Sequence, residues 1–153
     1  MSSVDQTSEN WTIPDKEPLL AACRGLPHVD HPMLEAAGEL AALHRTREHT
    51  PAARCGPFDR RRVQLARGID RWVTLATPVP PAVAPEHSET VGRVVDRLAM
   101  LSAQVFVGLA CAPEAVFYEA SIQLGELADG YQDLVDDLRV GARRLPEEYY
   151  DRW

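Results

Sequence analysis

The sequence predicts an all-α protein, a helical bundle of four main helices with a long C-terminal helix and a short extra N-terminal helix. Three observations support this fold class. Apolar residues recur at three- and four-residue spacing over long segments, no segment of useful length alternates as a strand does, and proline clusters fall between the periodic segments. A chain of 153 residues is also long enough to bury one core without disulfides or a metal.

The predicted bundle covers residues 18–145, between a polar N-terminal arm and an aromatic C-terminal tail. The arm, residues 1–17, is expected to be mobile, with Trp11 and Ile13 available to attach it to the bundle. The tail, residues 146–153, contains tyrosine and tryptophan, which are enriched at protein interfaces. We expect this tail to pack on the bundle or on a second protomer.

The first two predicted helices are bounded by proline and glycine. A short helix has Pro18 in its first turn and Gly25 after its end. The first long helix runs from Pro32 to about Glu48. Its apolar face includes His44, which we interpret as a core histidine with a hydrogen-bond partner rather than as a catalyst.

Two of the remaining helices carry opposite charge. The second long helix, from about Phe58 to Leu75, contains five arginines, and the fourth, from Pro113 or Glu114 to about Arg144, has an acidic outer face. Because opposite charges attract, we expect these two helices to be packed neighbours. At a rise of 1.5 Å per residue the fourth helix would be about 45 Å long.

The third long helix is predicted from Ser88, which suits an N-cap, to about Cys111. Its residues are apolar on nearly all sides, with only a narrow polar stripe. A helix of this kind is typical of the centre of an assembly, so we place it in the middle of the bundle.

Composition restricts the functions that this chain can have. The net charge of -7 argues against non-specific binding to nucleic acid or to an anionic membrane surface. The N-terminus lacks the basic and apolar regions of a secretory signal, and the longest apolar stretch is too short to span a membrane. Three cysteines without a C-x-x-C motif fit a reducing compartment, so we expect a cytoplasmic protein.

Three segments carry a resemblance to a known family. They are Leu43-His44 near the end of the first long helix, Ile-Asp-Arg-Trp-Val at residues 69–73 after an arginine-rich stretch, and His-Ser-Glu-Thr-Val-Gly-Arg-Val-Val-Asp-Arg-Leu at residues 87–98. The last is the most specific. Together, over roughly residues 33–145, the chain resembles the actinobacterial form of the bacterial domain-of-unknown-function family 4254. The resemblance implies an all-helical fold and no settled activity.

Asp96 is the first candidate catalytic residue. It lies on an apolar face, close to Gly92 and Ala99, where an ionised carboxylate needs a partner. A carboxylate in such a place can serve as a general base with a perturbed pKa. The alternative is a structural ion pair with an arginine of the second long helix, such as Arg62 or Arg67.

His87 is the second candidate catalytic residue, because it lies just before the predicted start of the third long helix. A helix N-terminus lowers the pKa of a nearby histidine and attracts anions, which would suit a neutral general base. The alternative is that His87 belongs to a helix-capping turn.

Four further residues are candidates for substrate binding. Arg62 belongs to a run of three arginines that can hold a phosphate or a carboxylate, and the Thr90 hydroxyl lies close to His87 in sequence. Asp70 and Tyr131 fall near apolar faces of their helices. The alternatives are structural: the arginines face acidic residues, Asp70 pairs with a surface arginine, and Tyr131 is a core aromatic with a bonded hydroxyl.

The residues leave two functions of different classes open. The first is a small-molecule-binding protein for an anionic or polar ligand, extending to a cofactor-independent acid–base enzyme of bacterial specialised metabolism. The second is a non-catalytic interaction or adaptor module that forms a homodimer through the long helix. Neither a metal nor a cofactor is predicted, because His28 and His31 lack further ligands and no Glu-x-x-His, phosphate loop or dinucleotide fingerprint is present.

Overall fold

The structure is a computed structural model that describes residues 12–147, excluding the side chains of residues 108–111. It is an all-α bundle, which confirms the predicted fold class. Within the described residues there is no strand, and one isolated bridge pairs Glu86 with Arg144. The helices are α1 (Lys16–Cys23), α2 (Pro32–Glu48), α3 (Gly56–Ala76), α4 (Val91–Cys111) and α5 (Glu114–Arg139), with a one-turn 3-10 helix (Ala52–Arg54) before α3.

α2 has the predicted bounds, and His31 caps its N-terminus. The His31 Nδ1 atom accepts a hydrogen bond of 3.0 Å from the Met33 backbone N–H, and Nε2 donates one of 2.9 Å to the Thr12 carbonyl. The ring lies edge-on to Trp72, with 4.6 Å between centroids. Burial lowers the pKa of His31, which keeps the ring neutral. Both ring nitrogens are therefore committed to backbone groups.

α4 begins at Val91, three residues later than predicted, because two side chains cap it there. The Thr90 hydroxyl accepts a hydrogen bond of 3.3 Å from the Arg93 N–H, and the Asp70 Oδ1 atom of α3 accepts one of 2.7 Å from the Gly92 N–H. The predicted Ser88 cap is wrong. The sequence did not indicate Asp70 as a cap, since it belongs to another helix.

α5 ends five residues before the predicted boundary at Arg144. Gly141 adopts a left-handed conformation with φ of 70°, which stops the helix at little cost for glycine. The Ala142 N–H then turns back to donate a hydrogen bond of 2.8 Å to the Asp137 carbonyl. The 26 residues of α5 therefore extend about 39 Å.

α4 is the central helix, as predicted, and packs against α1, α2, α3 and α5. The bundle core is formed around α4. Within residues 12–147 no helix has the length and apolar character that a membrane crossing requires. The neighbouring helices do not cover α4 completely near the α4–α5 turn, where the Phe106 side chain is 63% exposed. The apolar residues of α4 that are buried in this core are Val91, Val94, Val95, Leu98 and Ala99.

The charged helices are not paired in the way that the sequence predicts. α3 packs against α2 and α4, whereas α5 packs against α4 and α1. The arginines of α3 pair with acids on its actual neighbours: Arg61 bonds Glu39 of α2, and Arg62 bonds Asp96 of α4. The prediction is wrong because the apolar α4 occupies the centre and contacts both charged helices.

The segment before α1 is attached along α5. Ile13 is only 2% exposed and belongs to the core, and Arg139 donates to its carbonyl at 2.5 Å. Asp15 accepts a hydrogen bond from Gln132 at 2.9 Å and pairs with Arg139 at 2.9 Å. Residues 1–11, which include Trp11, and the predicted tail aromatics (Tyr149, Tyr150 and Trp153) lie outside the described residues.

Candidate functional site

An open cleft of about 950 Å³ lies between α3 and α4, beside the C-terminal half of α2. We call it the arginine cleft, because arginine is its most frequent lining residue. Three carboxylates, one amide and one valine complete the lining: Asp59, Glu89, Asp96, Gln64 and Val63. The lining arginines are Arg47, Arg60, Arg62, Arg67, Arg93 and Arg97.

Asp96 forms the floor of the arginine cleft, where it is 4% exposed. Its Oδ1 atom accepts hydrogen bonds from His44 Nε2 at 2.8 Å and from Arg62 Nε at 3.2 Å, and its Oδ2 atom accepts one from Arg62 Nη2 at 2.7 Å. Because an ionised carboxylate only accepts, the proton of this contact is on His44 Nε2. The predicted alternative, an ion pair between Asp96 and Arg62, is therefore present.

The environment of Asp96 keeps its carboxylate ionised. Burial raises the pKa, but the hydrogen bonds from His44 and Arg62, together with the positive charge of Arg62, outweigh burial and hold the pKa below its usual value. A carboxylate with a lowered pKa, whose two oxygens already accept three hydrogen bonds, is a weak proton acceptor. The geometry therefore favours Asp96 as an anchor for Arg62 and His44 over Asp96 as a general base.

Arg62 links two carboxylates, and each of its three side-chain nitrogens donates to one of them. Two of its nitrogens bind Asp96, and Nη1 donates to Asp59 Oδ1 at 3.0 Å. Asp59 also accepts from Arg47 Nε at 3.1 Å, which ties the end of α2 to the start of α3. Arg62 was predicted to bind substrate. It lines the cleft, and substrate binding by Arg62 stays a prediction, because the bonds described here are those of a residue that holds the walls together.

Asp70 and Thr90 mark the point where α3 and α4 cross. Both side chains accept N–H groups from the first turn of α4, as described above. The backbones approach closely there: a Cβ atom on Gly92 would lie 2.3 Å from the Ala66 carbonyl oxygen. Neither Asp70 nor Thr90 lines the arginine cleft, and these two hydrogen bonds are those of helix caps.

His87 lies outside the arginine cleft, four residues before the start of α4. Its Nδ1 atom accepts a hydrogen bond of 3.1 Å from the Glu89 N–H, which matches the predicted alternative of a capping turn. Its own backbone N–H donates to the Arg144 carbonyl at 2.8 Å, next to the Glu86–Arg144 bridge. The structure therefore does not bring His87 and Asp96 together as an acid–base pair within the cleft.

Tyr131 is also separate from the cleft, which receives no lining residue from α5. The side chain is fully buried, and its hydroxyl donates a hydrogen bond of 2.7 Å to the Pro14 carbonyl. Burial raises the pKa of the phenol, so it stays protonated. This is the predicted alternative of a core aromatic with a bonded hydroxyl.

The sequence reasoning missed most residues of the cleft. Arg93 and Arg97, one turn apart on α4, were considered only as a polar stripe on an otherwise apolar helix. Arg60 and Arg67 share a face of α3 with Gln64 at spacings of four and three residues. This spacing was the available signal, because like charges three or four residues apart destabilise a helix unless other groups offset them.

No protein-family model, no curated protein and no solved structure matches this chain. In residues 12–147 no group of three or more histidine, cysteine or acidic side chains is arranged to hold a metal ion. The class that fold and site define is an all-α bundle with an arginine-lined cleft.

Proposed function

We propose that this protein binds an anionic, polar small molecule in the arginine cleft. The observation that carries the proposal is the composition of the lining, in which six of the eleven residues are arginines and three are carboxylates. Guanidinium groups bind the oxygens of carboxylate and phosphate groups through paired hydrogen bonds, and here they line one cleft from adjacent helices. The volume of about 950 Å³ lies within the range of small-molecule sites.

Binding is favoured over acid–base catalysis by the state of the candidate base. Asp96 is ionised, accepts three hydrogen bonds and has a lowered pKa, while His87 and Tyr131 lie elsewhere. The residues that the cleft offers to a ligand are mostly guanidinium groups, which bind and orient anions but do not exchange protons near neutral pH. Membership of family 4254 stays a prediction from the residues.

The proposal predicts stabilisation of the protein by multivalent anions. At constant ionic strength, citrate or pyrophosphate at about ten times its Kd is expected to raise the Tm by about 4 °C in a thermal unfolding scan. The variant Arg60→Gln/Arg97→Gln removes one exposed arginine from each wall and is expected to lose most of this shift.

Arg71→Gln is the control, since Arg71 is exposed on α3 and lies outside the cleft lining. This substitution removes the same type of charge as the cleft variant. It is expected to retain the Tm shift. No shift with either anion, or equal shifts in the cleft variant and in Arg71→Gln, would contradict anion binding in the cleft.

The homodimeric interaction module is the second candidate, favoured by exposed apolar side chains near the α4–α5 turn. Tyr118 and Ile122, one turn apart on α5, are 67% and 44% exposed, and Phe106 on α4 is 63% exposed. None of the α5 residues before Leu124 is buried, whereas six residues between Leu124 and Leu138 are. Two copies joined here would complete a four-helix layer and bury these side chains.

A charge on this apolar surface is expected to separate such a dimer. Light scattering at micromolar concentration should give a dimer mass for the unchanged protein and a monomer mass for Tyr118→Glu. Gln123→Glu, which adds a charge at an exposed position of the same helix, should remain dimeric. A monomeric unchanged protein at that concentration would exclude this second candidate.

A further inference from the structure

The ion pair between Glu89 and Arg97 lies along one wall of the arginine cleft. Both residues line the cleft, and the Arg97 Nη1 atom lies 2.8 Å from the Glu89 Oε1 atom. Arg97 belongs to α4 and Glu89 to the segment just before it, whereas the pair between Arg62 and Asp96 joins α3 to α4. Opening the Glu89–Arg97 pair therefore breaks no link between two helices.

The Glu89–Arg97 pair is also open to an incoming molecule. The Arg97 side chain is 49% exposed, compared with 19% for Arg62. Because water screens the attraction, an exposed ion pair favours the paired state over the open state by no more than about fivefold. An anion that carries several negative charges can therefore compete with one glutamate for this guanidinium group.

The backbone around Glu89 is fixed by bonds that do not involve the Glu89 carboxylate. The Glu89 N–H donates to His87 Nδ1 at 3.1 Å, and the Thr90 hydroxyl accepts a hydrogen bond of 3.3 Å from the Arg93 N–H. The carboxylate can therefore leave Arg97 by rotation of the Glu89 side chain alone. The start of α4 keeps its position during this rotation.

The Glu89 carboxylate occupies a position that suits an acidic group of a ligand. A guanidinium group donates to carboxylate and phosphate oxygens through the same N–H groups. In the structure the Nη1 donor of Arg97 is bonded to Glu89. The apparent affinity for an anion that uses this donor is reduced to the fraction of molecules in which the pair is open.

We propose that Glu89 is an internal competitor of the ligand, and that an anion binds Arg97 by displacing the Glu89 carboxylate. This inference rests on the proposed function and identifies a residue that limits the affinity of the arginine cleft. Arg97 then supplies a contact to the anion from α4, and the Glu89 side chain turns away from it. Removing the competitor tightens binding, whereas the loss of a residue that holds the ligand weakens it.

Calorimetric titration of the full chain with citrate and with pyrophosphate, at constant ionic strength, tests this competition. Glu89→Gln keeps the size of the side chain without its charge, and we expect it to lower the Kd of both anions about fivefold. Glu89→Asp keeps the charge but is one methylene shorter and loses the contact with Arg97. We expect it to lower the Kd about twofold to threefold.

Glu86→Gln is the matched control for these variants. Glu86 is exposed, lies three positions before Glu89 and is outside the cleft lining, so the substitution removes the same charge from the same segment. The Kd of both anions should change by less than about twofold in this control. Since a damaged fold weakens binding, tighter binding in the Glu89 variants cannot arise from unfolding.

The outcomes separate this inference from the proposed function. Tighter binding in both Glu89 variants, without a change in Glu86→Gln, supports competition at Arg97. An unchanged or higher Kd in Glu89→Gln overturns the inference and leaves anion binding in the cleft in place. A lower Kd in Glu89→Gln with an unchanged Kd in Glu89→Asp shows an effect of net charge alone, which also overturns it. If neither anion binds the unchanged protein or the Glu89 variants, both the inference and the proposed function fail.

Discussion

Replacing Gly92 with alanine is expected to destabilise the bundle by about 3 kcal/mol, at the upper end of the usual range for overpacking. The added Cβ would lie 2.3 Å from the Ala66 carbonyl oxygen and 2.9 Å from its carbonyl carbon. Both atoms belong to the backbone of α3, so no side chain can rotate away. α3 and α4 would have to separate, which would also weaken the bond between Asp70 and the first turn of α4.

Urea unfolding followed by circular dichroism measures this loss, and Gly130→Ala is the matched control. Gly130 lies in the interior of α5, and nothing lies within 4 Å of a Cβ placed there. Alanine in that helix position should stabilise the protein by about 0.5–1 kcal/mol. A Gly92→Ala protein as stable as the unchanged one would mean that the two helices do not meet as closely as described.

Asp96→Asn is expected to cost about 3 kcal/mol, because it removes the anion from a buried ion pair and leaves the cationic partner behind. The carboxylate accepts from both Arg62 and His44, and both donors remain in the variant. Asparagine keeps the size of the side chain but has an NH₂ group in place of one acceptor oxygen. The effect therefore reports charge and hydrogen bonding rather than a cavity.

The cost of Asp96→Asn should depend on pH in a defined direction. The folded pKa of Asp96 lies below the value of 3.8 that applies to the unfolded chain. The stabilisation by the carboxylate is thus fully present above that value and is lost as the pH falls through the folded pKa. Unfolding free energies of the two proteins should differ most near neutral pH and converge as the pH falls through the folded pKa of Asp96.

Asp133→Asn provides the control for this comparison, since Asp133 is exposed on α5. Its effect should stay within about 0.5 kcal/mol at every pH. An Asp96→Asn protein that is as stable as Asp133→Asn at neutral pH would show that the ion pair contributes little. Anion binding by the folded Asp96→Asn protein also tests whether Asp96 contributes to that binding by holding Arg62 in position.

Several features of the fold followed directly from the sequence. The bounds of α2, the central place of α4 and the short helix near Pro18 were predicted from apolar periodicity and from proline and glycine signals. These signals work because helix formation depends on residues within a few positions of each other. The stop of α5 at Gly141 was missed although its signal was local, since the apolar stripe continued past it.

The candidate site was predictable only in part. Asp96 was identified because a carboxylate on an apolar face needs a partner, and Arg62 was among the partners considered. Tyr131 was identified by the same reasoning and His87 from its place before a helix N-terminus, and the structure places both away from the cleft. A polar residue on an apolar face indicates that a partner exists, but it does not indicate where on the protein that partner lies.

What the sequence by itself determined is the set of helices and the presence of buried polar residues that require partners. The tertiary structure decided the partners. Asp96 meets His44 and Arg62 across 52 and 34 residues of chain, and Asp70 caps a helix that starts 21 positions later, at Val91. The physical reason is that packing of the apolar α4 sets how each neighbouring helix is rotated. That rotation turns separate arginine stripes of α3 and α4 into one cleft.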